Sequence, residues 1–292
     1  MASGRYCYVE RAARDKAERK SIACTSHFSD KCVVVTGAAG GMGLAFARRF
    51  GQAGARVAML DVQAAAVEAA SGQLALEGID VLPLACDVSD PGSVVAAMDR
   101  VLDRFGDVDV LINNAGISAR AAFEQTRLAV FHRVMGINFF GALYATKAAL
   151  GSLKRRKGLI VTISSLAGFS PLLGRTAYGA SKHALHGLFD SLRSELRGTG
   201  VGVLVVCPGF TATNIGTSAL DGDGSITRHP QSTVGRPASP DEVAEQVFQA
   251  ARKNKRRLVL TPVGRLTRLV NTLSPRLYEF LMARSVRSEL ER

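Results

Sequence analysis

Thr36-Gly37-Ala38-Ala39-Gly40-Gly41-Met42-Gly43 is the stretch whose reading decides the fold. It follows the apolar run Cys32–Thr36 and leads into a helix-length amphipathic segment, 42–52. Glycines between a first strand and a helix let the backbone approach a pyrophosphate, which then rests on the N–H groups that open the helix. For a lone GxGxxG, a glycine-rich tight turn is an equal alternative. TGxxxGxG inside a strand–helix–strand unit is far more specific. Outward from it, short apolar runs alternate with longer amphipathic ones. Strands are predicted at 32–36, 56–60, 81–86, 109–112, 159–163 and 201–207, and helices at 42–52, 64–76, 93–105, 123–150 and 178–197. Continuous Val/Ile/Leu runs separated by helices indicate an α/β fold with a doubly wound parallel sheet covered on both faces.

The alternation runs without a break through a chain of 292 residues, 47% of them hydrophobic, so one domain is expected rather than two joined by a linker. Its expected limits are 31–262, after an N-terminal extension (1–30, read as flexible) and before a basic amphipathic tail (263–292). The longest irregular stretch, 216–237, suits a mobile lid over a site. No apolar run reaches the ~20 residues that cross a bilayer, so no transmembrane span is expected. The formal net charge of +12 sits at the ends: residues 1–31 carry +3 and 252–292 carry +8, leaving +1 for the body between. A balanced body argues against nucleic acid as a partner.

Cys7, Cys24, Cys32, Cys86 and Cys207 form no CxxC pair and no metal-ligand pattern, so no metal is expected. Three of them lie in strand-like runs as small buried hydrophobes, which points to a reducing compartment. The charged N-terminus lacks a signal-peptide core. A cytoplasmic location is therefore expected, with peripheral membrane contact through the tail as an open addition.

Two carboxylates stand at strand ends, where ligands of open α/β sheets bind. Asp61 closes the second strand, 24 residues past Gly37. It either accepts hydrogen bonds from an adenine ribose diol, repelling a 2′-phosphate, or caps the next helix. Gly40 offers no basic side chain for such a phosphate, so NAD is preferred over NADP. Asp87-Val88 after the third strand is open in the same way, between a cap and an adenine contact.

Asn113-Asn114-Ala115-Gly116, Asn138, Ser164-Ser165 and Tyr178-Gly-Ala-Ser-Lys182 follow in order. Tyr and Lys four apart share a helix face. A tyrosine at its ordinary pKa of ~10 is a poor base, and an adjacent ammonium favours the phenolate. Such a tyrosine can exchange a proton with an alcohol or ketone while a nicotinamide exchanges the hydride, and a serine can hold the substrate oxygen. Singly, Tyr178 and Lys182 would be an ordinary amphipathic pair and Ser165 a strand-end cap.

Taken together, these motifs resemble the short-chain dehydrogenase/reductase family in its single-domain form, from about Lys31 to Gly209. Asn138 lies 27 residues before Ser165, and Ser165 lies 13 before Tyr178, intervals that agree with the family. The resemblance implies a Rossmann-like sheet of about seven strands. It makes Tyr178 the general acid/base and gives Lys182 the nicotinamide ribose. Ser165, rather than Ser164, orients the substrate oxygen, and Asn138 holds a water that relays protons to Lys182. Gly37, Gly41, Met42 and Gly43 line the pyrophosphate, with Asp61, Asp87 and Val88 toward the adenosine and Asn114 along the cofactor. Pro208, Gly209 and Thr211 cover the nicotinamide side.

A departure concerns the end of the chain. Arg256-Arg257-Leu258-Val259-Leu260-Thr261-Pro262 runs on into the tail, where many members, the β-ketoacyl-carrier-protein reductases among them, stop. This suits a steroid-, retinoid- or lipid-like alcohol or ketone. The alternatives are a 3-oxoacyl thioester reductase and, in another class, a non-catalytic dinucleotide-binding regulator or scaffold. The family's habit of pairing through its two long helices implies a homodimer or homotetramer, with Leu143, Leu150, Leu185, Leu188 and Leu192 available. In 264–287, Leu266, Leu269, Val270, Leu273, Leu277, Phe280 and Leu281 recur at three- and four-residue steps, with a break expected at Ser274-Pro275. That helix either packs on protein or lies in a membrane interface.

Overall fold

The computed structural model describes residues 27–213, 215–227 and 236–286. Most of the N-terminal extension and part of the predicted lid lie outside them. Seven parallel strands form one sheet in the order β3-β2-β1-β4-β5-β6-β7. They are β1 (Cys32–Thr36), β2 (Arg56–Asp61), β3 (Val81–Ala85), β4 (Val110–Asn113), β5 (Leu159–Ile163), β6 (Gly202–Cys207) and β7 (Arg257–Val259). The six predicted runs match β1 to β6 to within one residue at each end, and β7 is an addition to them.

Side-chain alternation divides the apolar runs between two cores. Val33, Val35, Met59, Ile112 and Val161 pack on one face with Phe46 and Phe50 of α1 (Gly41–Gly51) and Phe248 of α7 (Pro240–Arg252). The same face carries α2 (Ala64–Leu76). Val34, Leu111, Ile160 and Val203 pack on the other face. There they meet α3 (Pro91–Phe105), α5 (Gly141–Arg156) and α6 (Thr176–Glu195). The folded body reaches back past Lys31. Phe28 is buried, with ring centroids 4.9 Å from Phe50 and 5.1 Å from Phe248.

The single helix predicted over 123–150 is corrected. A 3-10 turn (Phe123–Gln125) is followed by α4 (Leu128–Met135), a π turn (Gly136–Phe140) and α5. A π turn shifts the hydrogen-bond register by one residue and is frequent at functional sites. Here it carries Asn138 and turns that side chain inward. By length and composition 128–156 could cross a membrane. Buried Asn138 and Thr146, and packing against α3 and α6, make it a core element. Leu185, expected to be available for a dimer, is consumed by the domain's own core, and Leu150, Leu188 and Leu192 are partly buried against it.

The described part of the predicted lid is docked. Leu220 N–H donates to Ser118 O (2.8 Å), and Leu220 O accepts from Arg120 N–H (2.8 Å). Beyond β7 the tail forms α8 (Pro262–Leu273) and α9 (Pro275–Val286), broken at Ser274-Pro275 as the sequence predicts.

Candidate active site

The glycine-rich turn ends at an uncapped helix. No side chain caps α1, and no acidic residue stands in its first turn, so its opening N–H groups are left for an anion. Gly37 adopts φ +64°, and a Cβ on Gly43 would overlap the Gly37 carbonyl, so both positions require glycine. A Cβ on Gly40 would meet nothing. Asn114 holds the turn in place: its Nδ2 donates to Thr36 O (2.9 Å) and Gly37 O (3.0 Å). Thr36 Oγ1 accepts the N–H groups of Asn114 and Ala115. Asn114 therefore acts first as a brace for the turn, a role the sequence did not show.

Asp61 Oδ2 accepts from Ala39 N–H (3.0 Å) and Oδ1 from Gln63 N–H (3.1 Å), which brings the carboxylate beside the glycine turn. Asp90, not Asp87, caps α3, accepting from Gly92 and Ser93 N–H. The exposed Asp87 carboxylate is held by Ser89 N–H and Oγ at 2.9 and 2.7 Å. The side chains of Val88 and Met42 turn toward the two cores. Pro208 O accepts from Leu166 N–H (3.2 Å), Gly209 faces Thr261, and Thr211 pairs with Ala238. These residues form the rim after β6. An uncapped helix end, a glycine cradle and a strand-end carboxylate together fit a dinucleotide.

Ser165 follows β5, and Tyr178 and Lys182 stand on the first turns of α6. Ser165 stands close enough to the Tyr178 hydroxyl to draw its pKa down, and its Oγ accepts from Ala167 N–H (3.1 Å). Ser164, by contrast, is buried, with Oγ donating to Lys182 O (3.2 Å) and meeting His186 Nε2 at 2.9 Å. Ser164 is thus held by the fold's own groups, while Ser165 stands beside Tyr178. Lys182 is buried and donates from Nζ to Ile163 O (2.9 Å), with Nζ 5.6 Å from the Tyr178 ring centroid.

The expected depression of the Tyr178 pKa by Lys182 is not what these groups produce. Burial dominates and raises the Tyr178 hydroxyl, while Ser165 and the Arg175 charge pull it back. Burial also lowers Lys182 to about 8. Both groups are driven toward their neutral forms, which brings the lysine's titration close to neutral pH.

Asn138 locks the neighbourhood. Its Oδ1 accepts from Ile117 N–H (2.8 Å), and its Nδ2 donates to Ile117 O (3.0 Å) and Ser181 Oγ (2.9 Å). Ser181 donates in turn to Tyr178 O (2.7 Å). Asn138 is thereby tied to the helix turn that carries the tyrosine. Arg175, Ser181 and His186 were missed by sequence reasoning. Arg175 and Ser181 lie three residues either side of Tyr178, and His186 lies one turn beyond Lys182, so helical spacing from the YxxxK pair was the available signal.

The short chain dehydrogenase family model matches residues 31–223, and the chain belongs to this family of oxidoreductases. It is 40% identical over 265 residues to dehydrogenase/reductase SDR family member 7B of Bos taurus, covering 88% of this chain and 82% of that one. It is 36% identical to dehydrogenase/reductase SDR family protein 7-like of Drosophila melanogaster, covering 87% and 80%. Among solved structures it is similar to a short chain dehydrogenase/reductase from Burkholderia phymatum in complex with NAD, at 26% identity and a TM-score of 0.77, covering 86% of this chain and 95% of that chain. An alcohol dehydrogenase from Thermococcus sibiricus complexed with 5-hydroxy-NADP gives 29% identity and a TM-score of 0.68, covering 79% and 95%.

Proposed function

We propose that the protein interconverts a secondary alcohol and a ketone on an apolar substrate with a nicotinamide dinucleotide, NAD in preference to NADP. The observation that carries this is Ser165 and Tyr178 set side by side next to buried Lys182, with the uncapped glycine cradle on the same edge of the sheet. The dinucleotide supplies or accepts the hydride. The similar solved structures bind NAD or a modified NADP, which supports this cofactor class.

The chain's own groups do the rest. Gly37, Gly41 and Gly43 let the opening N–H groups of α1 face the pyrophosphate. Lys182 holds the nicotinamide ribose. In the reductive direction Tyr178 gives its hydroxyl proton to the carbonyl oxygen, and in the oxidative direction it takes the proton back. Ser165 donates a hydrogen bond to the same oxygen and orients it. Asn138 is a positioning residue that fixes the Ile117 loop and Ser181. NAD is preferred because the Asp61 carboxylate stands by the turn while Gly40 brings no cation for a 2′-phosphate. An apolar substrate fits the Leu166–Leu173 segment between Ser165 and Tyr178, which is mostly apolar. The protein works as a homodimer or homotetramer in the cytoplasm.

Turnover of an alcohol and ketone panel, including 3-oxoacyl thioesters, followed by nicotinamide absorbance, tests the reading. Oxidation or reduction of an apolar secondary alcohol or ketone is expected. Turnover confined to thioesters would move the substrate to the acyl class. Dinucleotide binding without turnover on any substrate would leave a non-catalytic binding protein.

A further inference from the structure

The two C-terminal helices use one side to dock and leave the other bare. On the docked side, Gly264 lies against Leu166, with space for no Cβ. Asn271 Nδ2 donates to Phe169 O (2.8 Å), and buried Tyr278 donates from Oη to Pro171 O (2.9 Å). These contacts fix the helices to the segment that follows Ser165. Elsewhere on their surface Leu266, Leu269 and Leu273 of α8 and Leu277, Phe280 and Leu281 of α9 are exposed, Leu273 by 75% and Phe280 by 62%. A row of this size on a folded surface marks a binding face rather than scattered exposure.

Charge selects the occupant. Arg276 and Arg284 interleave with the apolar row. Arg265, which donates to Val259 O (3.4 Å), and Arg268, whose charge reaches His186, flank it toward the domain. Glu279 is the sole acid between 262 and 286. A second copy of the same face would bring these arginines against one another, whereas an anionic surface complements them. We propose that the exposed side of α8 and α9 seats the enzyme on an anionic lipid bilayer. The apolar row enters the boundary between headgroups and acyl chains, and Arg276 and Arg284 reach the headgroup phosphates. Because the docked side touches Phe169 and Pro171, the seated enzyme holds the wall of its own substrate site close to the bilayer. Membrane binding itself does not depend on which substrate is turned over.

The test is flotation of the full chain with vesicles of phosphatidylcholine alone, and with vesicles in which about one lipid in three is phosphatidylserine. Binding to the anionic vesicles that weakens as salt is raised is expected. Leu273→Glu with Phe280→Glu alters exposed positions only, so it should keep the parent's thermal midpoint while partitioning falls about tenfold or more. The chain contains no tryptophan, so Phe280→Trp is a single reporter, and its emission should shift to the blue on anionic vesicles. Unchanged binding by the double Glu variant overturns the proposal, as does a Phe280→Trp spectrum that vesicles leave unmoved. Loss of a dimer by the Glu variant, without loss of vesicle binding, would assign the face to a second copy instead.

Discussion

Replacing Asn138 with Ala removes three hydrogen bonds from a side chain that is 1% exposed. Two of their partners are the N–H and the carbonyl of Ile117, which lose them together, and the third is Ser181 Oγ, which keeps its bond to Tyr178 O. Each buried polar group left without a partner costs about 1–3 kcal/mol. Ile117 is half-buried and Ser181 keeps one bond, so the lower part of that range applies to each, giving a total of about 2–4 kcal/mol. The damage reaches the site as well. A Cβ on Gly116, next to Ile117, would stand 3.1 Å from Asn138 Oδ1 and 3.6 Å from Lys182 Nζ, so this backbone passes directly beside the lysine. Urea unfolding should show a lower midpoint with an unchanged slope, together with a kcat lowered more than the KM for dinucleotide is raised. A loss of stability below about 1 kcal/mol with kcat intact would refute the claim that Asn138 holds the Ile117 loop and, through it, the lysine.

Three further outcomes are expected. His186 is held down to about 4, first by burial and then by Arg257, with His183 and Arg268 acting the same way and Asp190 against them. The unfolded chain therefore binds more protons than the native one between about 6.5 and 4, so this residue's contribution to stability is lost as pH falls through that window. His186→Gln should flatten the acid limb of the Tm-against-pH curve between those values, and a curve parallel to the parent's there would count against it. Asp61→Ser should raise kcat/KM with NADPH relative to NADH by about tenfold or more, because a carboxylate beside a phosphate is removed. An unmoved ratio would mean that Asp61 serves only the backbone of the glycine turn. Light scattering at micromolar concentration should report a dimer or tetramer, and a monomeric mass would contradict the assembly proposed for the two long helices.

The sheet was legible because its strands are buried on both faces. Cys32–Thr36 and Leu159–Ile163 read as uninterrupted apolar runs and nothing else in the chain competes for them. Helix 123–150 was not legible as four pieces, since a π turn leaves no gap in an apolar pattern; Gly136 opens it and Gly141 follows it without announcing it. That Asn138, Ser165, Tyr178 and Lys182 come together was legible through their spacing. Their electrostatics were not, because desolvation depends on how deeply the fold sets Tyr178 and Lys182, which spacing does not encode. The tail's amphipathic stripe was visible, but one stripe cannot say which side docks. Gly264, Asn271 and Tyr278, a small residue and two hydrogen-bonding ones, turn out to mark the docked side, while the leucines face out.

The account's central claim is that Tyr178 moves the proton at the reacting oxygen. The most direct measurement is kcat for Tyr178→Phe, on a substrate the parent turns over, beside dinucleotide affinity for the same variant. Loss of the hydroxyl should lower kcat by about 10²–10⁴-fold or more while cofactor affinity stays within a few-fold of the parent's. A variant that keeps near-parental turnover would contradict the account.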